Sequence, residues 1–282
     1  MSQVSSKPCK QVLVVGCGLM GAGITQVIAE AGKQVIVSDR TEEDLERGEQ
    51  QIRKSLSKKE NVDVENIMKD IMFTTNIEDG EDSDLVIEAV PEKIEIKKEV
   101  FTLLDQIMQP KSILASNTSS LSIASISSAT MRPEKVIGLH FFSPVPVMRL
   151  LEIVKGINTS DSVVEFSKAF AQQIHKEVII ANDYPGFTVN RVLTPMLNEA
   201  AFLVMEGNDP QDVDRGMMLG TNQPIGPLKL ADMVGIDVLL FTLESLYKGF
   251  NDSKYRPCPL LKRMVEAGRK GKKAGQGFYK YT

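Results

Sequence analysis

The chain has 282 residues and a formal net charge of −4, because 37 acidic side chains outnumber 33 lysines and arginines. At roughly 150 residues per domain this length predicts about two domains, and the lack of a basic excess disfavours a protein that binds nucleic acid through bulk charge. A hydrophobic content of 42% and a charged content of 25% are typical of globular proteins, so neither a disordered chain nor a membrane bundle is expected.

From residue 11 to about residue 151, short apolar runs alternate with longer amphipathic segments, which is the pattern of a doubly wound parallel sheet. The expected strands are Val12–Val15, Val35–Ser38, Phe73–Thr75, Leu85–Ala89, Ile113–Ser116 and Val136–Leu139. The expected helices are Met20–Ala31, Glu43–Lys58, Ile96–Met108 and Leu121–Ser127. Two further strands, Leu151–Val154 and Val178–Ile180, flank a helix at Val163–Ile174 and are expected to extend the sheet.

The pattern changes at a turn-forming Asp-Tyr-Pro-Gly cluster, Asp183–Gly186. Beyond it no further strand is expected, and apolar residues recur at helical spacing on nearly all sides of the segment 189–204, which predicts a helix buried against several neighbours. We therefore predict an α/β, Rossmann-like doubly wound domain over residues 1–184. A smaller, all-helical domain is predicted over residues 185–282.

A glycine-rich segment, Gly16–Gly21, has the spacing GxGxxG between the first strand and the first helix. Its first glycine permits a tight turn, its second lets a pyrophosphate approach the backbone, and its third lets the helix pack on the strand. The helix N-terminus then favours the negative charge of the pyrophosphate. The candidate cofactor-binding residues here are Gly16, Gly18, Leu19, Met20 and Gly21.

Asp39 ends the second strand, 18 residues after Gly21. In a dinucleotide-binding domain a carboxylate at this place accepts hydrogen bonds from the adenosine ribose and repels a 2′-phosphate, so NAD is favoured over NADP. The neighbouring Arg40 keeps NADP as an alternative cofactor, because a guanidinium can accommodate the 2′-phosphate.

Two histidines, His140 and His175, are the candidates for a general base near neutral pH. His140 follows the strand Val136–Leu139, and ligands of parallel sheets bind beyond the carboxyl ends of the strands. His175 has the surroundings of a solvated loop residue. His140 is therefore the preferred base, with a structural role as the alternative.

Glu152 lies 12 residues after His140, beyond a segment containing Pro144 and Pro146 that is expected to bend. A chain reversal there would bring the carboxylate to the imidazole, where it would fix the tautomer and stabilise the imidazolium. The alternative is a surface glutamate on a strand edge.

Two further polar residues, Ser119 and Asn190, have either a structural or a ligand-binding role, and the residue pattern does not decide between the two. Ser119 belongs to a polar segment that follows the strand Ile113–Ser116 and either faces the same crevice or caps the next helix. Asn190 lies on the otherwise apolar helix after the domain boundary, where a buried amide must be hydrogen-bonded to structure or to ligand.

In these and other segments the chain resembles the short-chain L-3-hydroxyacyl-CoA dehydrogenase family, most closely the bacterial 3-hydroxybutyryl-CoA dehydrogenases. The matching segments, in chain order, are VLVVGCGLMGAGI, DLVIEAVPE, ILASNTSSLSI, RPEKVIGLHFFSPVPVMRLLEIV, YPGFTVNRVL, IGPLKLAD, SKYRPCPLL and GKKAGQGFY. They extend over nearly the whole chain. The resemblance implies an NAD-binding first domain and a second domain for substrate binding and dimerisation.

The resemblance also implies roles for individual residues. His140 would be the base, Glu152 its orienting partner, and Ser119 and Asn190 ligands of the substrate's 3-oxygen. The residues implied to approach the cofactor are Glu92, Lys97, Ser119 and Ser143. Those implied to help bind coenzyme A are Ser55, Lys58 and Lys59.

One position departs from the family, which commonly has the sequence HFFNP. Here Ser143 replaces the asparagine, in His140–Pro144. The shorter hydroxyl can keep the asparagine's hydrogen bond only through a shift or a water. We expect altered affinity or substrate preference with the chemistry retained.

The implied activity is reversible hydride transfer between NAD(H) and (S)-3-hydroxyacyl-CoA or 3-oxoacyl-CoA, with 3-hydroxybutyryl-CoA and acetoacetyl-CoA as the expected pair. The alternatives are a sugar-acid or other hydroxyacid dehydrogenase on the same scaffold and a non-catalytic dinucleotide-binding protein. A hydroxyacid dehydrogenase with a lysine base on the first helix of the second domain is disfavoured, because residues 186–228 contain no lysine.

The remaining expectations concern surroundings and partners. Three widely spaced cysteines without CxxC spacing favour neither a disulfide framework nor a zinc site, and indicate a reducing compartment. We expect a cytoplasmic homodimer that binds an acyl-CoA and NAD, without a metal, a nucleic acid or a membrane.

Overall fold

The computed structural model describes residues 9–281. Residues 1–8 and 282, which the two predicted domains also include, lie outside this range. The chain divides into two compact units, of which the first ends at Asp183 and the second begins at Tyr184.

Within the described residues, the first unit contains an eight-stranded sheet with the order β3-β2-β1-β4-β5-β6-β7-β8. The strands are β1 (Gln11–Val15), β2 (Gln34–Ser38), β3 (Ile71–Thr74), β4 (Leu85–Glu88), β5 (Ile113–Ser116), β6 (Val136–Phe141), β7 (Leu150–Lys155) and β8 (Glu177–Asn182). Strands β1 to β6 are parallel, whereas β7 is antiparallel to β6 and parallel to β8. The strand order reverses between β1 and β4, and in open α/β sheets such a point forms the ligand-binding crevice.

Helices of the first unit connect the strands. They are α1 (Leu19–Glu30), α2 (Glu42–Leu56), α3 (Val64–Met68), α4 (Ile94–Ile107), α5 (Ile123–Ser127) and α6 (Asp161–Gln173). The α-helices of the second unit are α7 (Val189–Met205), α8 (Pro210–Thr221), α9 (Pro227–Val234), α10 (Ile236–Phe250) and α11 (Pro259–Glu266). The predicted fold class, a doubly wound α/β sheet followed by a helical region, is confirmed.

The central strands are almost entirely buried: every residue of β4, β5 and β6 is buried. Parallel strands covered by helices on both faces have this continuous apolar character. The core of the second unit is separate and includes Leu197, Leu239, Leu243 and Leu261. In the part of the chain that the structure describes, no helix has the length and apolar character needed to cross a membrane.

Most predicted elements differ from the structure by a few residues at their ends, and three of the differences change the interpretation of an element. Strand β6 continues to Phe141, because Phe141 pairs with Leu151 of β7, so His140 lies inside the strand instead of after it. Helix α3 was not predicted, because five residues are too few to establish a helical period. Helix α7 is not buried all round: Val192 is 73% exposed, and the buried residues lie on one side of the helix, namely Thr194, Leu197, Asn198, Ala200 and Ala201.

Candidate active site

The turn between β1 and α1 depends on two glycines. Gly16 has φ +100°, a left-handed value that favours glycine, and a Cβ there would lie 2.8 Å from the carbonyl oxygen of Ala89. A Cβ on Gly21 would lie 1.8 Å from the carbonyl oxygen of Gly16, so helix α1 could not begin so close to the turn with any larger residue. Gly18 is the N-cap of α1 and has no side chain to bond the first N–H groups of the helix. These groups are therefore available to an anion.

A cleft of about 850 Å³ opens in front of this turn. Its lining includes Gly16–Met20, Asp39, Arg40, Arg47 and Val90. The volume lies within the range of small-molecule sites, roughly 300–1,000 Å³. The narrow turn, the uncapped helix N-terminus and the acid at the cleft together fit a nicotinamide dinucleotide.

The carboxylate of Asp39 is fixed by backbone donors at the edge of the cleft. The Cys17 N–H donates to Oδ2 at 2.6 Å, and the Arg40 N–H donates to Oδ1 at 2.7 Å. Arg47, the second arginine of the cleft, forms an ion pair with Asp44. The cleft thus combines a fixed carboxylate with two guanidinium groups.

The thiol of Cys17 adds no negative charge to this cleft at neutral pH. Burial, together with the nearby carboxylates of Asp39, Asp44 and Glu49, raises the pKa of the thiol to about 12. Its sulfur lies against Gly48 of α2, where a Cβ would approach the sulfur to 2.0 Å. We conclude that Cys17 is a packing residue between the glycine-rich turn and α2.

His140 and Glu152 form a buried pair across two neighbouring strands. The ladder of β6 and β7 places the two residues directly opposite each other, and the His140 Nδ1 lies 2.6 Å from the Glu152 Oε2. The side chain of Glu152 is fully buried and that of His140 is 7% exposed. The ring of Phe142 lies 4.4 Å from the imidazole, centroid to centroid. A reversal of the chain therefore brings acid and imidazole together.

This pairing determines the tautomer of the neutral imidazole. A carboxylate accepts hydrogen bonds, so the ring donates its Nδ1–H to Glu152 and its Nε2 has a lone pair that can accept a proton. If Nε2 is protonated, the buried carboxylate is the counter-ion of the imidazolium. The pair is thus suited to general acid–base chemistry.

The polar segment that follows β5 is organised around Glu92. Its Oε1 accepts hydrogen bonds from Thr118 Oγ1 at 2.6 Å, from the Ser119 N–H at 2.9 Å and from the Ser120 N–H at 3.1 Å. Burial alone would raise the pKa of Glu92, but the Lys97 ammonium and these hydrogen bonds outweigh it and hold the pKa below its usual range. Glu92 is therefore ionised at neutral pH.

Lys97 lies on α4 with only 1% of its side chain exposed. Its ammonium contacts Glu88 at 2.6 Å and Glu92 at 3.3 Å. Sequence reasoning missed the partner Glu88. The only signal for it was a charged residue at the end of a strand that is otherwise wholly apolar.

Ser143 lies on the connection between β6 and β7 and is exposed. Together with Gln26 and Ser55 it lines a small cavity between this connection and helices α1 and α2. The connection is held by Lys176, which sequence reasoning also missed: its ammonium donates to the carbonyl oxygens of Val145 at 2.5 Å and Met148 at 2.6 Å.

The residues implied to bind coenzyme A lie at the end of α2. Ser55 is half-buried in the last turn of the helix, and Lys58 and Lys59 follow it on the surface. Lys59 forms a 2.5 Å ion pair with Glu30. Asn190 lies in the first turn of α7 in the second unit and is half-buried.

Comparison with known proteins matches two family models to the chain. Residues 11–184 match the 3-hydroxyacyl-CoA dehydrogenase, NAD binding domain, and residues 186–281 match the 3-hydroxyacyl-CoA dehydrogenase, C-terminal domain. A probable 3-hydroxybutyryl-CoA dehydrogenase of Deinococcus radiodurans is 47% identical over 274 residues, which cover 95% of this chain and 99% of that protein. A probable 3-hydroxybutyryl-CoA dehydrogenase of Bacillus subtilis is 46% identical over 279 residues, covering 96% of this chain and 97% of that protein.

A solved structure shows the same similarity to 3-hydroxybutyryl-CoA dehydrogenases. The (S)-3-hydroxybutyryl-CoA dehydrogenase PaaH1 from Ralstonia eutropha is similar with a TM-score of 0.93 at 41% identity. The similarity covers 98% of this chain and all of that one.

Proposed function

This chain belongs to the 3-hydroxyacyl-CoA dehydrogenase family, and on that premise we propose that it interconverts (S)-3-hydroxybutyryl-CoA and acetoacetyl-CoA, with His140 as the base. The chain is an oxidoreductase with an NAD-binding domain. The observation that supports the proposed base is the buried 2.6 Å contact between His140 Nδ1 and Glu152 Oε2, in the same unit as the glycine-rich cleft.

In the proposed mechanism the nicotinamide cofactor, when bound, accepts or supplies the hydride at C3 of the substrate. His140 Nε2 takes the proton of the 3-hydroxyl group during oxidation, and the Glu152 carboxylate stabilises the imidazolium that forms. In the reducing direction the same imidazolium returns the proton to the 3-oxygen. Ser119 and Asn190 hold that oxygen, and Gly16–Gly21, Glu92, Lys97 and Ser143 belong to the cofactor site.

The experiment that tests this function is the decay of NADH absorbance after acetoacetyl-CoA is added to the purified protein. We expect turnover with acetoacetyl-CoA and none with small sugar acids or simple hydroxy acids in the reverse reaction. Turnover of only the small acids would favour the alternative dehydrogenase. Absence of turnover with every substrate, while NADH still binds, would favour a non-catalytic dinucleotide-binding protein.

For the cofactor, we propose a preference for NAD(H) over NADP(H), supported by the Asp39 carboxylate that backbone donors fix at the cleft. Replacing Asp39 with Asn keeps an oxygen for the Cys17 N–H but removes the charge. We expect kcat/KM with NADH to fall by roughly 10- to 100-fold, since a hydrogen bond to a charged group is worth about 1.5–3 kcal/mol. With NADPH it should rise, because the repulsion of the 2′-phosphate is lost.

Steady-state rates with both cofactors check this prediction. Asp79→Asn is a suitable control, because Asp79 follows the neighbouring strand β3, where it bonds Thr74 and Asn76. An unchanged ratio of the NADH and NADPH efficiencies in Asp39→Asn would contradict the proposed preference.

For the second substrate, we propose that Ser55, Lys58 and Lys59 help to bind coenzyme A, because two lysines follow the end of α2 on the surface. Phosphate groups are bound well by such ammonium groups. Steady-state rates with acetoacetyl-CoA for the Lys58→Met variant test this assignment, whereas rates with acyl-CoA substrates of increasing length measure the preference for the acyl chain. An unchanged KM for acetoacetyl-CoA would count against Lys58.

For the assembly, we propose a cytoplasmic homodimer that forms through the helical unit, the second of the two domains divided near residue 184. The supporting observation is apolar surface on that unit: Val192 is 73% exposed, Leu219 is 75% exposed and Phe241 is 42% exposed. Surface of this kind commonly marks an interface between proteins. Light scattering should give twice the 31.1 kDa mass of the chain, and a monomer at micromolar concentration would contradict the proposal.

A further inference from the structure

Glu88 is a fully buried carboxylate to which the proposed mechanism gives no role. It is the last residue of β4, and both its oxygens accept hydrogen bonds. Oε1 accepts from the Lys97 ammonium at 2.6 Å and from the Val90 N–H at 2.7 Å, and Oε2 accepts from Ser116 Oγ at 2.6 Å. Ser116 is the residue opposite Glu88 on β5. The carboxylate is thus rigidly held between two strands and α4.

Lys97 connects Glu88 to a second carboxylate. Its ammonium lies 3.3 Å from Glu92 Oε2, while the other oxygen of Glu92 accepts hydrogen bonds from the N–H groups of Ser119 and Ser120. A continuous series of charge-assisted contacts therefore leads from Glu88, through Lys97 and Glu92, to the polar segment after β5. Residues 117–120 of this segment form the turn that contains Ser119.

The same turn is attached to the strand of the proposed base. Asn117 Oδ1 accepts a hydrogen bond of 2.9 Å from the N–H of Phe141, the residue after His140. A shift of the turn would therefore act on the neighbourhood of His140 as well as on Ser119.

The distances show how the ammonium is shared between the two carboxylates. Lys97 Nζ is closer to Glu88, at 2.6 Å, than to Glu92, at 3.3 Å. In surroundings with little water such contacts are strong, and an ammonium that loses one counter-ion moves toward the other. Without the charge of Glu88, Lys97 would approach Glu92 and compete with the turn for its carboxylate.

We propose that Glu88 is a positioning residue for Ser119, acting through Lys97 and Glu92. The proposal rests on the proposed function, in which Ser119 holds the 3-oxygen of the substrate. In this assignment Glu88 itself touches neither substrate nor cofactor. It fixes the position of the Lys97 ammonium, and the ammonium fixes the position of the Glu92 carboxylate, which orders the turn.

The test is Glu88→Gln, which keeps the shape of the side chain and removes its charge, made in the wild-type chain and in a Ser119→Ala background. In the wild-type background we expect kcat with acetoacetyl-CoA to fall roughly 10- to 100-fold, the cost of a displaced catalytic contact, with little change in KM. In the Ser119→Ala background the same substitution should cost less than about 3-fold, because residues acting through one contact are not additive.

Asp105→Asn is the matched control. Asp105 lies on the same helix, α4, and forms a largely buried ion pair of 2.7 Å with Arg132, with 12% and 14% of the two side chains exposed. It also accepts a backbone hydrogen bond, from the N–H of Met131. This variant should also lose stability but keep kcat within about 2-fold of wild type, because Asp105 accepts its hydrogen bonds from Arg132 and the Met131 N–H and not from the turn that contains Ser119.

A second readout does not depend on turnover. Amide hydrogen exchange of Ser119 and Ser120, whose N–H groups bond Glu92, should be faster by roughly 10-fold in Glu88→Gln and unchanged in Asp105→Asn. If the wild-type protein does not reduce acetoacetyl-CoA, the proposed function fails and the exchange rates still decide the positioning role. Equal losses of kcat in both backgrounds, or unchanged exchange at Ser119 and Ser120, would overturn it.

Discussion

Replacing His140 with Gln should lower kcat with acetoacetyl-CoA by about 10²- to 10⁴-fold, the usual contribution of a positioned general acid or base. Gln fills a similar volume and its amide N–H can still donate to Glu152, so the buried carboxylate keeps a partner. The dissociation constant for NADH should stay within about 2-fold of the wild-type value, because the glycine-rich turn and Asp39 are unchanged. Steady-state rates and fluorescence titration with NADH measure the two quantities.

His175 provides the matched control, since it is the second of the two histidines in the chain. It is exposed and has φ +57°, a left-handed value that Asn also tolerates. His175→Asn should therefore keep nearly full activity. If His140→Gln retained more than about a tenth of the wild-type rate, the general-base contribution would be too small for this assignment.

Replacing Glu152 with Gln should lower kcat by roughly 10²- to 10⁴-fold. In serine proteases, an Asp-to-Asn change at the carboxylate that orients the catalytic histidine has an effect at the upper end of this range. Two effects act together. An amide N–H directed at Nδ1 forces the proton onto Nε2, which then cannot accept the substrate's proton. The loss of the negative charge also removes the counter-ion of the imidazolium. KM for acetoacetyl-CoA should change little, because Glu152 is buried behind the imidazole.

Glu177→Gln is the control for this substitution. Glu177 lies on the neighbouring strand β8, where it forms an exposed ion pair with Arg149, and it should tolerate the change. If His140 and Glu152 act as the unit proposed above, the double variant should be little worse than His140→Gln alone. Fully additive losses would show that Glu152 contributes by a route other than the imidazole.

Most strands of the first unit can be predicted from the distribution of apolar residues along the chain. Its central strands are buried on both faces, so they appear as continuous apolar runs such as Val12–Val15, with glycines or charged residues at their ends. The residues at which the strands end were less predictable, because a strand continues as long as the neighbouring strand offers backbone hydrogen-bond partners. Strand β6 reaches Phe141 only because β7 pairs with it.

The candidate site was predictable where it depends on one local turn. A bend between His140 and Glu152 was sufficient to suggest their contact. The contact between Glu88 and Lys97 was not predicted, because it joins a strand to a helix and depends on how α4 packs on the sheet. The hydrogen bonds of Lys176 to Val145 and Met148 depend likewise on the place of β8 beside β7.

The antiparallel pairing of β6 and β7 has a consequence for variation in this region. The alignment of the two strands decides which side chain faces the imidazole, and a slip of one position would bring Leu151 or Ile153 opposite His140 and turn Glu152 to the other face. Insertions or deletions that alter this alignment would abolish the proposed proton transfer even if every side chain of the candidate site were retained. Variation in the length of the connection at residues 142–149 is therefore constrained by strand geometry, independently of any contact that those residues make with a ligand.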